Sequence, residues 1–159
     1  MVGNFKSKRE EGFTIIEVLI VLAIAGLIML IVFLAVPALQ RNSRNTQMKN
    51  AAAAILGGIS EFTNNNNGQL PTTVGPTAAD GTVPISGGGT TTATSAKVQS
   101  GYLVSNGVAM PVVNGSIVVY LNRKCNGNAF GAAATQRAVA VGFNIENSSA
   151  VPQNQCVES

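Results

Sequence analysis

The chain has 159 residues, no histidine, and charged side chains at only 11% of its positions, against about 25% in ordinary soluble domains. Without histidine, general acid–base or metal chemistry would have to rest on the acids. The acids that follow residue 37 show no paired or metal-ligand spacing; they are Glu61, Asp80, Glu146 and Glu158. We therefore predict no catalytic residues, no metal site and no cofactor, and we expect that the protein is not an enzyme.

The formal net charge of +3 is weak evidence for nucleic-acid binding, because three of the ten basic residues lie in the first nine positions. Arg123, Lys124 and Arg137 could together form a basic patch that contacts DNA phosphates. Ordinary solvated loop charge is the better interpretation, since no exposed aromatic residues are interleaved with them. DNA therefore stays a weakly supported partner.

One long apolar run stands out against this polar, Gly- and Thr-rich background. Val18–Val36 holds nineteen residues without a charge, which is long enough to cross a bilayer as a helix. A secretory signal peptide would have a shorter apolar region without an acid before it. A plain single-pass anchor explains the length but leaves Glu17 unexplained, because an acid in such a segment is costly and usually functional.

The residues before the run are charged and end in a glycine. Lys6, Lys8, Arg9, Glu10 and Glu11 precede Gly12, Phe13 and Thr14. A charged leader, a glycine, an aromatic residue and an acid within an apolar helix together resemble a type IVa-like prepilin with its class III signal peptide. The resemblance covers about residues 6–40 closely and the remainder only in architecture.

The resemblance implies that residues 1–12 are a leader, which a prepilin peptidase removes by cleavage between Gly12 and Phe13. Phe13 then becomes the new N-terminus and is methylated. The alternative is a chance Gly-Phe pair at a membrane edge. After cleavage seven basic and five acidic side chains would remain, an excess too small to indicate a polyanion-binding protein.

Residues 13–37 are expected to form a transmembrane helix that later lies in the core of a filament. Phe13 and Glu17 are the candidate assembly residues, since the carboxylate could meet the terminal ammonium of Phe13 in a neighbouring copy. A Glu17 that only extends toward the membrane interface is the simpler alternative. Gly26 and Pro37 are candidate positions for a kink or local melting, expected near Phe33–Pro37.

Residues 38–159 are expected to form an extracytoplasmic pilin domain that begins with an amphipathic helix over 38–63. An apolar stripe at helical spacing predicts the face that packs on the domain; it consists of Met48, Ala52, Ile55, Ile59 and Phe62. The helix should end at Asn64–Gly68. Residues 64–100 are predicted to be a variable surface loop, in which sugars on hydroxyl groups are an alternative to plain solvation.

Short valine-rich runs predict strands in the final third, over 101–159. They are Tyr102–Val104, Val108–Val113, Ile117–Leu121 and Ala138–Ile145. Asn106-Gly107 and Asn114-Gly115 indicate hairpins between the first three, and Pro111 indicates an edge or bulged strand. The predicted fold class is α+β, with the long N-terminal helix packed by its second half on an antiparallel sheet of about four strands.

Cys125 and Cys156 are the only cysteines, and an isolated pair in an extracytoplasmic domain usually forms a disulfide. On the chain-entropy treatment such a bridge contributes roughly 3–4 kcal/mol. Two unrelated buried thiols are the alternative.

The leading functional hypothesis is a structural subunit of a type IV pilus, used for adhesion, twitching motility or DNA uptake. Its expected partners are identical subunits, the prepilin peptidase, the assembly machinery and the inner membrane, and its expected locations are that membrane and then the cell surface. A pseudopilin of a type II secretion system is the first alternative. Two features are evidence against the pseudopilin: the C-terminal region has few acids to form a calcium loop, and the chain has a cysteine pair. A DNA-binding minor pilin is the second.

Overall fold

The computed structural model describes residues 12–87, 93–99, 101–107, 109–110, 113–133, 137–148 and 151–159. Residues 1–11 of the predicted leader and the Gly/Thr residues 88–92 lie outside these residues, as do Val108, Pro111 and Val112 of the expected strand Val108–Val113. The chain divides into two compact units, Met1–Leu39 and Gln40–Ser159. One helix, α1 (Ile15–Asn65), contributes residues to both.

The strands of the described residues all lie in the second unit. They are β1 (Thr73–Val74), β2 (Thr82–Ser86), β3 (Thr94–Lys97), β4 (Leu103–Asn106), β5 (Ser116–Leu121), β6 (Arg123–Asn126), β7 (Ala129–Ala133), β8 (Val139–Ile145) and β9 (Gln153–Glu158). They form a four-stranded sheet in the order β4-β5-β8-β9, a three-stranded sheet β1-β2-β3 and a two-stranded ribbon β6-β7. The α+β class is therefore confirmed.

The predicted apolar stripe of α1 is confirmed as the helical part of the core. All five of its members are buried, together with Ala51 and Gly58. They pack in one cluster with alternate residues of the four-stranded sheet, for example Ile117 and Val119 of β5 and Val141 of β8. Because side chains alternate across a strand, this face of the sheet is apolar and meets the helix.

The second half of α1 also packs on the three-stranded sheet, which the sequence analysis did not predict. The expectation of a loop over 64–100 was wrong for β1, β2 and β3. In β2, Val83 and Ile85 are buried between more exposed neighbours. A side chain added at Gly58 would place its Cβ 2.7 Å from the Cδ1 of Ile85, so the glycine allows this close approach of helix and sheet.

The four-stranded sheet is mixed rather than antiparallel. β4 pairs with β5 in parallel, whereas β5–β8 and β8–β9 are antiparallel. The tight turn expected at Asn106-Gly107 is not formed, because Asn106 belongs to β4 and neither residue has the positive φ that such a turn needs. The hairpin expected at Asn114-Gly115 needs the strand Val108–Val113, which lies partly outside the described residues, so it stays a prediction. The strand expected over Tyr102–Val104 instead begins at Leu103, and β6, β7 and β9 were not foreseen.

The ends of α1 agree with the sequence analysis to within two residues. The helix ends at Asn65, and Gly68 follows with a φ of 82° and donates its N–H to the Thr63 carbonyl at 2.8 Å. This left-handed turn is the expected glycine cap. The helix is continuous through Gly26 and Pro37, so it shows no local melting there. Melting in an assembled fibre stays a prediction.

Candidate functional site

The proposed processing site lies on non-helical backbone immediately before α1. Gly12, Phe13 and Thr14 have no helical conformation, and all three are exposed. The Phe13 side chain is 89% accessible, and a Cβ added at Gly12 would meet no atom within 4 Å. Peptidases act on exposed, non-helical segments, so the Gly12–Phe13 bond has a geometry that allows cleavage.

Thr14 and Glu17 form a capping box at the start of α1. The Glu17 Oε2 accepts hydrogen bonds from the Thr14 backbone N–H at 2.8 Å and from the Thr14 hydroxyl at 2.7 Å. The Thr14 hydroxyl oxygen in turn accepts the Glu17 N–H at 3.4 Å. A threonine followed three residues later by a glutamate satisfies helix N–H groups in this way.

This capping box is an intramolecular function of Glu17 that the sequence analysis missed. The signal was present in Thr14-Ile15-Ile16-Glu17, a capping sequence directly before an apolar run. The structure therefore gives Glu17 one partner within its own chain, and it leaves the proposed contact with a neighbouring Phe13 untested.

The apolar part of α1 is exposed over its whole length. It is the one helix of the described residues that is long and apolar enough to cross a membrane, and its most apolar window has a mean hydropathy of 3.3 with none of it buried. Phe33 and Leu34 are both about three-quarters accessible. An apolar surface of this extent indicates a partner, either lipid or protein.

Arg44, Asn45 and Glu146 connect α1 to the end of β8 within the second unit. The Arg44 Nε and Nη2 donate to the two Glu146 carboxylate oxygens at 2.8 and 2.6 Å. The Asn45 amide donates to the Glu146 carbonyl at 2.9 Å and accepts its N–H at 2.7 Å. Because Arg44 donates to the charged carboxylate, the pKa of Glu146 is below its usual value.

Cys125 of β6 and Cys156 of β9 form a disulfide, with their Cα atoms 5.7 Å apart. Beside it, the Glu158 Oε2 accepts the Cys125 N–H at 2.7 Å. The bridge thus ties the β6-β7 ribbon to the edge of the four-stranded sheet. Tyr120 and Phe130 make a second contact between the same two layers, with ring centroids 5.3 Å apart.

The three basic residues of the possible DNA patch have different surroundings. The Arg123 guanidinium lies 4.4 Å from the centre of the Tyr120 ring and donates to the Gly131 carbonyl at 2.9 Å, so it is used within the domain. Arg137 lies against Gly68, at the end of α1. Lys124 is exposed. Within the ranges that the structure covers, no three metal-binding side chains cluster.

Comparison with protein families gives one match. Residues 7–33 match the prokaryotic N-terminal methylation motif, which is the class III signal peptide of type IV pilins. No curated protein and no solved structure matches the chain. The chain therefore carries a pilin-type signal motif, which supports a pilin-like or pseudopilin-like precursor. The motif points to a structural subunit that a prepilin peptidase processes, and with the apolar helix it is consistent with membrane anchoring.

Proposed function

We propose that the chain is a type IV pilin that is cleaved after Gly12, methylated at Phe13 and polymerised into a surface filament. The observation that carries the proposal is the combination, within one segment, of the methylation motif at 7–33 and an apolar helix exposed over its whole length. Such a helix needs lipid before assembly and other subunits after it. In this proposal the leader is residues 1–12, the membrane and filament-core helix is residues 13–37, and the extracytoplasmic domain is residues 38–159.

Transfer of the apolar helix from lipid into a bundle of identical helices is close to neutral for apolar side chains, because lipid tails are as apolar as leucine. Directional contacts must then set the register between neighbouring copies. Glu17 is the only charged side chain of the helix before Arg41. In the proposed filament its carboxylate pairs with the Phe13 ammonium of the next subunit, and the pairing offsets the cost of burying both charges.

The capping box supports this assignment, because it holds the Glu17 carboxylate in one place. Both hydrogen bonds from Thr14 reach Oε2, so the second oxygen, Oε1, can accept from a neighbouring chain. An open head-to-tail contact repeated in this way generates a helical fibre rather than a closed oligomer. Adhesion, twitching motility and DNA uptake are uses that such a fibre would serve.

The test is mass spectrometry of fibres sheared from cells that express this chain. The expected result is a polypeptide that begins at methylated Phe13 and contains the Cys125–Cys156 bridge. A Gly12→Val variant should accumulate as the full-length precursor in the membrane. Gly3→Val, a matched change at another leader glycine, should be processed normally. Fibres that contain only uncleaved chain, or fibres that lack this protein, would overturn the proposal.

A pseudopilin of a secretion system is the second candidate, because the same signal motif precedes both classes of protein. The two differ in where the processed chain accumulates. A pilin appears in extended fibres outside the cell at native expression levels, whereas a pseudopilin stays in the periplasm. Immunogold electron microscopy at native expression distinguishes them. For the DNA-binding minor pilin, a gel shift of the purified chain over a salt series is the corresponding test.

A further inference from the structure

A groove of about 710 Å³ lies at the end of α1, within the second unit. Two turns and one basic side chain line it. The turn after α1 contributes Asn67 and Gln69, and the turn after β5 contributes Asn122. The apolar part of the lining comes from Leu70, Pro71 and Leu121. The groove is not part of the N-terminal segment on which the proposed function rests.

Asn67 and Asn122 have an unusual backbone conformation. Their φ angles are 53° and 61°, and among the described residues they are the ones other than glycine that have a positive φ. A left-handed conformation costs a non-glycine residue roughly 1–2 kcal/mol, although asparagine tolerates it best. Both of these residues line the same groove, Asn67 in the left-handed cap of α1 and Asn122 in the turn between β5 and β6, so each turn contributes an amide side chain to the lining.

Arg137 supplies the charge of the groove. Its Nη2 lies 2.7 Å from the position that a Cβ on Gly68 would occupy, so the guanidinium rests against the glycine backbone. Among the described residues the ion pairs are Arg44–Glu146 and Lys97–Asp80, so Arg137 has no ion-pair partner there, and no described oxygen accepts a hydrogen bond from its guanidinium. Its planar fork of N–H donors matches the geometry of a carboxylate.

We propose that this groove binds an acidic saccharide, with the sugar carboxylate on Arg137. Arg137 is the single basic residue among the described residues that line the groove. A single cation suits a ligand with one carboxylate per sugar, whereas DNA binding relies on several phosphate contacts. The amides of Asn67, Gln69 and Asn122 are donors and acceptors for sugar hydroxyls. The apolar side chains of Leu70, Pro71 and Leu121 can pack on the C–H faces of the sugar ring.

The experiment uses the full chain in detergent micelles and measures binding by isothermal titration calorimetry. The probes are trigalacturonate and sialyllactose, with the neutral sugars galactotriose and lactose as matched controls. We expect at least one acidic saccharide to bind and both neutral sugars not to bind. Arg137→Gln should weaken binding roughly tenfold or more, since hydrogen bonds to a charged group are lost. Arg137→Lys should have a smaller effect, because it keeps the charge and loses the fork.

Lys124→Gln is the control variant, because it removes an exposed basic residue outside the groove. Its binding should equal that of the unchanged chain. Circular dichroism and the thermal midpoint establish that Arg137→Gln is folded. The proposal is overturned if neither acidic saccharide binds at millimolar concentration, if the neutral sugars bind equally, or if folded Arg137→Gln binds as tightly as the original chain. Tighter binding of a triglutamate peptide or of a short DNA strand also overturns it, in favour of a protein or nucleic-acid partner.

Discussion

The Arg44 guanidinium contacts both carboxylate oxygens of Glu146, which lies 102 positions further along the chain, at 2.8 and 2.6 Å. Arg44 belongs to α1 and Glu146 directly follows β8. This bidentate pair joins α1 to the end of β8 in the four-stranded sheet. Two hydrogen bonds between Asn45 and the Glu146 backbone join the same two elements. The pair joins elements that are far apart in sequence, and it makes the stability of the domain depend on whether Glu146 is ionised.

The stability of the domain should fall in acid through Glu146. Hydrogen bonding to Arg44 lowers the pKa of Glu146 in the folded chain, so the unfolded chain takes up this proton at a higher pH than the folded one does. The stabilisation is therefore present above the unfolded pKa of about 4.3 and is lost as the pH falls through the folded value. Urea unfolding of the full chain in micelles between about pH 7 and pH 3 measures this loss.

Glu146→Gln should lower stability at neutral pH and should reduce the slope of stability against pH in the acid range. Glu61→Gln is the matched control, because Glu61 is an exposed carboxylate of α1. The control should leave both the neutral stability and the acid slope close to those of the original chain. An unchanged acid slope in Glu146→Gln would contradict the assignment.

The charge of Glu17 and its capping function should be separable by substitution. Glu17→Gln removes the charge, but glutamine also completes a capping box, so the start of α1 should stay ordered. Thr14→Val removes the capping hydroxyl and keeps the charge. If the proposed pairing with Phe13 sets the register, Glu17→Gln should form few or no fibres while inserting into the membrane normally.

Thr14→Val should in contrast weaken the first turn of the helix by about 1 kcal/mol and still form fibres. Amide hydrogen exchange over residues 15–18 in micelles reports the capping effect, and electron microscopy counts the fibres. Normal fibre numbers in Glu17→Gln would show that the charge is dispensable. Loss of fibres in Thr14→Val alone would show that the cap matters more than the charge.

Asn144 and Asn66, which are buried among the described residues, should respond to substitution with opposite signs. Asn144 is 3% exposed, and neither its amide nitrogen nor its oxygen has a hydrogen-bond partner within the described ranges. An unsatisfied buried polar group costs roughly 1–3 kcal/mol. Asn144→Val should therefore raise the free energy of unfolding, by about 1 kcal/mol or more, since valine also suits a strand.

Asn66 is the contrasting case, because its amide donates to the Phe62 carbonyl at 2.8 Å at the end of α1. Asn66→Ala should lower the free energy of unfolding by roughly 1 kcal/mol. Both values come from urea titrations of the full chain. A loss of stability in Asn144→Val would indicate that this amide is paired in solution.

Removing the disulfide should destabilise the domain. The double variant Cys125→Ser/Cys156→Ser opens a loop that the bridge closes over a sequence separation of 31, and the chain-entropy treatment gives a loss of roughly 3–4 kcal/mol. The oxidised original chain is the reference, and the same chain under a reducing agent is the control. Equal thermal midpoints for all three would show that the bridge adds no stability.

Local patterns predicted the helical part of the fold well. The stripe from Met48 to Phe62 repeats at helical spacing, and every member is buried. The end of α1 was predicted because asparagine and glycine are the residues that tolerate a left-handed cap. These features depend on neighbours within about four residues, so the sequence alone contains the necessary information.

The region 68–100 shows where the local patterns were insufficient. Its strands are two to five residues long. The glycine and proline residues in the region are typical of loops. Pro84 lies in the middle of β2, at an exposed position between two buried ones. The alternation of Val83 and Ile85 with more exposed neighbours was a signal for a strand. So short an element is stabilised by its pairing with β1 and β3 and by its packing on Gly58.

By itself, then, the sequence determined the signal motif, the apolar segment, the capping box and the face that α1 turns to its domain, since each is a periodicity or a short motif. The tertiary structure alone decided the parallel pairing of β4 with β5, the contact of Arg44 with Glu146, and the groove beside Arg137. Each of these depends on residues that are distant in the chain, and the free energy that brings such residues together comes from the packing of the whole domain rather than from any local pattern.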